Sequence, residues 1–274
     1  APGAGVTVDE VLASPVPMVL PRLLPAQKVT EPKDDGGLMK LELDLAAEFQ
    51  NTFLPKRSDF SGFSGIEADY LFLPLQKVSG DFIDISRLDE AIYGFFISDI
   101  SGHGVAAALI SSMLKVFFSL YAKDLLSPQL LFEVLNQEFY QYLNSGEYFT
   151  SFYGLYFQEQ RKFVYTNANH PDPILLRADG RLEELSSEGF FVGVFRDSVF
   201  EERELLLEPG DRILFYTDGI VEARSPAGEA FGKERLRSWF VSTANMAPGH
   251  QLDHLYQQLM AYTGQHPEDD ITAS

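Results

Sequence analysis

Three short segments of the chain place an aspartate beside a glycine at the end of a predicted strand. They are SGDFID (residues 79–84), SDISGHG (98–104) and YTDGIVEA (216–223), and a fourth acidic segment, EDDIT (268–272), lies at the extreme end. An Asp that follows an apolar strand such as AIYGFFIS or RILFYT is carried to the rim of a sheet, where glycine lets a ligand approach. Because Asp-Gly is also a common turn dipeptide, any one of these segments alone is better explained as an ordinary turn.

Taken together, the four segments indicate a different chemistry. Four carboxylates that converged in a partly desolvated site would repel one another, and a divalent cation would remove that repulsion. Carboxylate and carbonyl oxygens suit magnesium or manganese, whereas the sequence has no cysteine and no HExxH pair that would favour zinc. Two such ions about 3.5–4 Å apart can activate a water and neutralise a phosphoryl oxygen. The sequence alone does not establish that the four segments meet.

The elements that must position these residues are strands in runs, followed by helices in pairs. Apolar periodicity predicts strands over residues 70–75, 92–100, 149–157, 162–168, 174–177, 200–207 and 212–216, and helices over 104–121, 128–143, 232–240 and 251–262. A polar segment separates the first two strands. Runs of strands favour an α+β fold with antiparallel sheets covered by helices over a doubly wound parallel sheet.

The N-terminal part of the chain has a different composition. Residues 1–37 are rich in proline and predict a leader or linker. Residues 38–57 predict an amphipathic linker helix, since Leu38, Leu41, Leu45, Phe49 and Phe53 recur at helical spacing before Pro55. This stripe either packs on its own domain or pairs residues 38–55 with a second copy of the chain in a homodimer.

Charge and composition exclude several classes of function. The 274 residues include 40 Asp plus Glu against 21 Lys plus Arg, a net charge of −19, which disfavours nucleic acid as a partner. The absence of cysteine is typical of a reducing compartment, and no run approaches the about 18 apolar residues of a membrane helix. We therefore expect a cytoplasmic protein without membrane insertion, either whole or as the cytosolic part of a longer sensor protein.

An ordered set of motifs resembles a known family. GDFID, FISDISGHGVAAALISSMLK, ANHPDPILL, EPGDRILFYTDGIVEA, FGKERL and the terminal DDIT are similar, in order and spacing, to the bacterial SpoIIE or RsbU-like branch of the PPM metal-dependent serine/threonine phosphatases. The resemblance implies that residues 58–274 form a PPM phosphatase-like domain, a four-layer α-β-β-α sandwich of two antiparallel sheets flanked by helices. Because two residues follow DDIT, the final strand of the fold is expected to be short or missing.

The resemblance also implies a site. Asp81, Asp99, Asp218 and Asp269, with the backbone carbonyl of Ile100, match the ligands of two Mn²⁺ or Mg²⁺ ions that activate water for attack on phosphoserine or phosphothreonine without a phosphoenzyme. Asp84, His103 and Asp270 match neighbouring positions that support the ligands, although Asp84 is equally well explained as a solvated carboxylate. His103 more readily shapes its loop than acts as an acid or base, and His170 fixes a turn. Two departures from the family pattern, Ser79 and Asn169, replace glycines.

The leading hypothesis is a protein serine/threonine phosphatase in a partner-switching pathway. By resemblance, its substrate is a phosphorylated anti-sigma-factor antagonist of the STAS type. The alternative is a catalytically weak pseudophosphatase that acts as a partner-binding regulatory module. A nucleotide cyclase, suggested by the likeness of SGDF to the start of GGDEF, is disfavoured because the second glycine and the EF ending are missing.

Overall fold

The long strand β3 (Ile92–Ile100) is apolar on both faces, and this feature determines the layers around it. Phe96 packs into a cluster with the helices of one side, whereas the next residue, Ile97, packs into a cluster between two sheets. Successive side chains of a strand point to opposite faces, so β3 must lie between two other layers. The computed structural model describes residues 35–60, 62–102, 104–143 and 146–274, with side chains from residue 40 onward.

The remaining elements follow in chain order. The helices are α1 (Asp35–Asn51), α2 (Arg57–Phe60), α3 (Val105–Tyr121), α4 (Pro128–Tyr140), α5 (Asp218–Glu222), α6 (Gly232–Ser242) and α7 (Pro248–Thr263). The other strands are β1 (Leu71–Leu73), β2 (Phe82–Asp89), β4 (Phe149–Phe157), β5 (Lys162–Ala168), β6 (Ile174–Leu176), β7 (Leu182–Glu184), β8 (Arg203–Leu206), β9 (Arg212–Leu214) and β10 (Ile271–Ala273).

The strands form two antiparallel layers. The first is a five-stranded sheet in the order β2-β3-β4-β5-β8. The second contains β7-β6-β9 and the pair β1-β10, which are joined where Phe215 and Ser274 exchange backbone hydrogen bonds of 2.8 and 3.0 Å. Because β10 closes this layer, the EDDIT segment that leads into it is fixed against the TDG segment that follows β9.

Three apolar clusters confirm the α-β-β-α sandwich that the sequence predicts. The first lies between the five-stranded sheet and helices α3 and α4, and includes Phe96, Leu114 and Phe132. The second lies between the other sheet and helices α6 and α7, and includes Trp239 and Leu255. A third cluster, which includes Ile97, Phe152, Phe163, Leu175 and Phe215, fills the space between the two sheets.

The structure contains elements that the sequence analysis did not predict, β7 and α5 among them, and it corrects one prediction directly. The segment between the first two predicted strands is not a polar connection but contains β2, an eight-residue strand that pairs with β3 from Phe82↔Ser98 onward. The hairpin of β4 and β5 has the predicted bounds, and the expected short final strand is present as β10. Most of the predicted leader, residues 1–34, lies outside the described residues.

Helix α1 contacts the domain through a face other than the apolar stripe. Leu41, Leu45 and Phe49 are 58%, 56% and 60% exposed, whereas Gln50 is buried. The prediction that the stripe packs on its own domain is therefore wrong for these three residues. Its other interpretation, a contact with a second copy, stays a prediction.

Candidate metal centre at one edge of the sandwich

Asp81 and Asp99 lie at the adjoining ends of neighbouring strands. Asp81 immediately precedes β2, and Asp99 is the penultimate residue of β3. Gly80 brings the two segments together, since a Cβ at this position would lie 3.0 Å from the carbonyl oxygen of Ile100 and 3.2 Å from Cβ of Ala107. The backbone of the SGDFID segment is thus packed directly on the Ile100 carbonyl, and a side chain at this position would push these neighbours apart.

A second glycine joins the two acidic segments of the other sheet. Asp218 is the first residue of α5, directly after the second sheet. A Cβ on Gly219 would lie 2.0 Å from the carbonyl oxygen of Asp270 and 3.3 Å from Cβ of Asp269. The TDG and DDIT segments are therefore in direct contact.

Two threonines connect the sheets at this edge. The hydroxyl groups of Thr217 and Thr272, both fully buried, donate to Oδ2 of Asp81 at 3.0 and 2.6 Å. The backbone N–H of Thr272 donates in turn to Oγ1 of Thr217 at 3.1 Å. Asp81, from the first sheet, is thus held by residues of the second. Sequence reasoning missed both threonines, although they belong to the TDG and DDIT motifs that contain the predicted acidic residues.

The two carboxylates of the DDIT doublet have different surroundings. Asp270 is buried, and its two oxygens accept the backbone N–H groups of Leu75 at 2.6 Å and Gly80 at 2.9 Å. Asp269 is exposed, and its Oδ1 accepts the N–H of Asp270 at 2.8 Å. Asp270 therefore holds the loop before Asp81 in place, whereas the side chain of Asp269 lies beside Asp218 and Asp99.

The carboxylates at this edge raise one another's pKa. Burial and the charges of Asp218, Asp269, Asp270 and Glu222 raise the pKa of Asp99 to about 8. Burial, followed by the charges of Asp269 and Glu222, raises the pKa of Asp218 to about 6. The pKa of Asp81 is raised well above its ordinary value by burial and by the charge of Asp99, against the lowering effect of its bond from Thr272. The predicted acidic residues are therefore brought together.

The donor set fits a hard divalent cation. In the described part of the chain, no three Asp, Glu or His side chains are arranged so that all of them can bind one ion as they stand. Oxygen groups that are buried, anionic and mutually repulsive are nevertheless the ligands that Mg²⁺ and Mn²⁺ prefer, and a cation would lower the pKa values that burial raises. Of the predicted set, Asp81, Asp99 and Asp218 have raised pKa values, the exposed Asp269 adds a fourth carboxylate beside them, and the Ile100 carbonyl adjoins Gly80.

Gln50 is a further residue that the sequence analysis missed. From the buried face of α1, its side-chain amide donates to the carbonyl oxygen of Ser79 at 2.7 Å and accepts the N–H of Ser79 at 3.0 Å. The same amide nitrogen donates to Oγ of Ser111, on α3, at 3.0 Å. Because Oγ of Ser79 accepts the N–H of Asp81 at 3.0 Å, α1 is connected to the candidate centre through one residue.

Of the two histidines considered in the sequence analysis, the structure describes His170, because His103 lies outside the described residues. Burial lowers the pKa of His170 to about 3, so that its ring is neutral at physiological pH. Its Nδ1 lies 2.8 Å from Oγ1 of Thr150, and its backbone N–H donates to Oδ1 of Asn167 at 2.7 Å. His170 therefore fixes the turn, as the sequence predicts.

The departures from the family pattern are accommodated. Asn169 has a φ of 57°, a conformation that asparagine tolerates better than most residues. Ser79 is not among the described residues with a positive φ, so it does not introduce backbone strain.

Asp84 is buried and pairs with Lys115, so the interpretation of a solvated carboxylate is wrong.

A cavity of about 400 Å³ opens beside these carboxylates. Its lining residues are Asp99, Ser101, Tyr148, Thr150, Asn169, His170, Pro171, Asp172, Phe191, Asp218 and Lys233. Among these, Lys233 at the start of α6 has the one positively charged side chain, and its Nζ is 3.9 Å from the nearest carboxylate oxygen of Glu184. The cavity thus combines carboxylates with a cation that is only weakly paired.

Comparisons with known proteins identify the family of this chain. The family model described as "Stage II sporulation protein E (SpoIIE)" matches residues 89–273. Protein IcfG of Synechocystis sp. is 27% identical over 86% of this chain and 41% of IcfG. Phosphoserine phosphatase RsbU of Bacillus subtilis is 27% identical over 69% of this chain and 56% of RsbU. The chain therefore spans about half the length of these relatives.

A solved structure has the same fold. The SiaA-PP2C domain of Pseudomonas aeruginosa superimposes with a TM-score of 0.78 at 22% identity, and the match covers 86% of this chain and 95% of that domain.

The described helices include none that is both long enough and apolar enough to cross a membrane.

Proposed function

Because the chain belongs to the SpoIIE family of PP2C/PPM phosphatase-type domains, we propose that it is a metal-dependent phosphatase that hydrolyses phosphoserine or phosphothreonine on a signalling protein. The observation that carries the proposal is the meeting of Asp81, Asp99 and Asp218, from both sheets, beside an open cavity. RsbU, a similar protein over most of this chain, is a phosphoserine phosphatase by name.

The proposed ligands of two Mn²⁺ or Mg²⁺ ions are Asp81, Asp99, Asp218, Asp269 and the carbonyl of Ile100. When bound, such ions supply a water of lowered pKa and neutralise charge on a phosphoryl group. The chain's own part is to hold the ligands in position. Asp81 is fixed by two hydroxyl donors, and Asp270 fixes the Gly80 backbone.

Residues of the cavity would bind the phosphoryl group. The ammonium of Lys233 is free to approach an anionic oxygen, since Arg237 already donates to Glu184 at 2.6 Å. The neutral ring of His170 is not a proton donor at physiological pH, because its pKa is lowered to about 3. Protonation of the leaving serine oxygen is thus not its role, and His170 instead holds Thr150 at the cavity wall.

The proposed partner is a phosphorylated STAS-type anti-sigma-factor antagonist in the cytoplasm. The likeness to RsbU supports the phosphoprotein partner. The absence of cysteine in the chain supports the cytoplasm as its compartment. We also propose that α1 forms a homodimer through residues 38–55, since Leu41, Leu45 and Phe49 leave an apolar stripe uncovered. Exposed apolar patches of this kind mark interaction sites.

The test is hydrolysis of p-nitrophenyl phosphate with and without Mn²⁺. We expect activity that EDTA abolishes, and Asp81→Asn or Asp218→Asn should each lower the rate by orders of magnitude, because loss of one ligand charge disturbs both ions. Glu48→Gln, on the exposed side of α1, is the matched control. Wild-type rates in either aspartate variant would refute the ligand assignment. Binding of a phosphoprotein without any hydrolysis would favour the pseudophosphatase.

A further inference from the structure

Four aromatic side chains form a continuous surface beside the cavity, which we name the aromatic ridge: the exposed Tyr148, Phe190 and Phe195, and the half-buried Phe191. The ring centroids of Tyr148 and Phe191 are 4.4 Å apart, those of Phe191 and Phe190 are 5.2 Å apart, and those of Phe190 and Phe195 are 5.0 Å apart. Phe190 and Phe195 are 43% and 57% exposed. A contiguous patch of large exposed aromatic rings marks a site of interaction with another molecule.

The segment that carries the ridge is held firmly in place. Asn136, buried within α4, donates to the carbonyl oxygens of Phe195 and Arg196 at 2.8 and 3.0 Å and accepts the N–H of Gly193 at 2.9 Å. Isolated bridges pair Phe149 with Val192 and Gly189 with Phe200. The backbone that carries the rings is therefore fixed, so a partner would not have to order a loose loop on binding.

The ridge is continuous with the candidate site. Tyr148 and Phe191 line the same cavity as Asp99 and Asp218, and the ridge runs from them outward to Phe195. A phosphoserine held in the cavity would bring the protein surface around it onto these rings. A second copy of the chain seated on the ridge would instead lie over the cavity mouth.

We infer that the aromatic ridge is the docking surface for a folded phosphoprotein substrate that has apolar side chains next to its phosphoserine. This inference rests on the proposed function. The charge of −19 on this chain repels an anionic phosphoprotein, and apolar contact supplies an attraction that does not depend on charge. Aromatic residues in such a position commonly dominate the free energy of protein association.

The first measurement is equilibrium binding to a fluorescently labelled STAS-domain protein phosphorylated on serine, the probe for this partner class. The double variant Phe190→Ser/Phe195→Ser should bind it at least about tenfold more weakly than wild type, because truncated interface aromatics commonly cost this much. Phe190→Leu/Phe195→Leu, which keeps the apolar surface, should recover part of the affinity. Tyr256→Ser, an exposed aromatic on α7 outside the ridge, is the matched control and should bind as wild type.

The second measurement compares substrates. The serine double variant should lose kcat/KM on the phosphoprotein by a similar factor through KM, while kcat/KM for p-nitrophenyl phosphate stays within about twofold of wild type. Wild-type affinity in the double variant, equal losses on both substrates, or failure of the wild type to bind the phosphoprotein would each overturn the docking surface.

Two further outcomes separate the proposals. If the wild type binds the phosphoprotein through the ridge but hydrolyses neither substrate, the proposed function fails and the docking surface stands. If sedimentation shows a wild-type dimer that the serine double variant converts to a monomer, the ridge binds a second copy and the substrate-docking proposal is overturned.

Discussion

Replacement of Gln50 by leucine should destabilise the domain and weaken its affinity for metal at the same time. The side chain of Gln50 is buried and pairs with both the N–H and the carbonyl of Ser79, which is itself fully buried. Leucine has a similar size but no polar atoms, so Gln50→Leu leaves two buried backbone groups without these partners. An unsatisfied buried group costs about 1–3 kcal/mol, and we expect the free energy of unfolding to fall by about 2–4 kcal/mol.

The effect on metal affinity follows from the position of Ser79. Its Oγ accepts the N–H of Asp81, and Gly80 between them is held by Asp270. A displaced Ser79 therefore misplaces a proposed ligand, and loss of a residue that supports a metal ligand typically lowers affinity by about 10–100-fold. Urea unfolding of the metal-free protein measures the first effect, and calorimetric titration with Mn²⁺ measures the second.

Glu48→Leu is the matched control for Gln50→Leu, since Glu48 is exposed on the same helix. It should leave both quantities within about 0.5 kcal/mol of wild type, as expected for a surface substitution. An unchanged urea midpoint in Gln50→Leu would refute the argument from buried hydrogen bonds. A lowered midpoint with wild-type affinity for Mn²⁺ would refute the connection between α1 and Asp81, and would leave Gln50 a structural residue only.

Three other outcomes are expected. Asp269→Asn should weaken Mn²⁺ binding in calorimetry more than Asp270→Asn, because Asp270 already accepts two backbone N–H groups; the reverse order would move the ligand by one residue. The pKa of Asp99 is raised to about 8, so the metal-free folded state binds the proton of this carboxyl group more tightly than the unfolded chain does. The free energy of unfolding should therefore fall as the pH rises from about 4 to about 8. Saturating Mn²⁺ should remove this dependence, and a urea midpoint that is flat over that range without metal would contradict the assignment. Leu45→Asp with Phe49→Asp should give a folded monomer in sedimentation with altered basal activity, whereas a wild-type chain that is monomeric at high concentration would contradict dimerisation through α1.

The acidic residues and the layers could be predicted from the sequence because their patterns are local. Strands β3, β4 and β5 are nearly continuous apolar runs, since both their faces are covered, and such runs predict buried strands with well-defined ends. The Asp-Gly segments that follow or precede apolar strands indicate positions at a sheet rim. The order of the motifs along the chain indicated that these segments form one site. The spacing of any single pair of segments did not.

The missed features are buried polar groups, which a hydrophobic pattern assigns to the surface. Strand β2 contains Asp84, whose buried carboxylate pairs with Lys115 from α3, and the sequence FIDISRLD therefore reads as half solvated. In α1 the apolar pattern did not decide which face is buried. Leu41, Leu45 and Phe49 of the stripe are exposed, and the buried face is marked by Gln50, a residue that no apolar periodicity identifies.

The threonines show why the candidate centre and the closure of the sandwich depend on each other. Thr217 and Thr272 belong to the second sheet, yet both donate to Oδ2 of Asp81 at the end of the first. The same two residues pair with each other where β10 joins its layer, through N–H groups that bond Oγ1 of Thr217 and the carbonyl of Thr272. Three carboxylates with raised pKa values at this edge oppose its closure when they are charged, and a bound cation would reverse the sign of that contribution. The sequence therefore places at the junction of its two sheets an acidic cluster that protonation stabilises at low pH and that a bound metal ion would stabilise at higher pH.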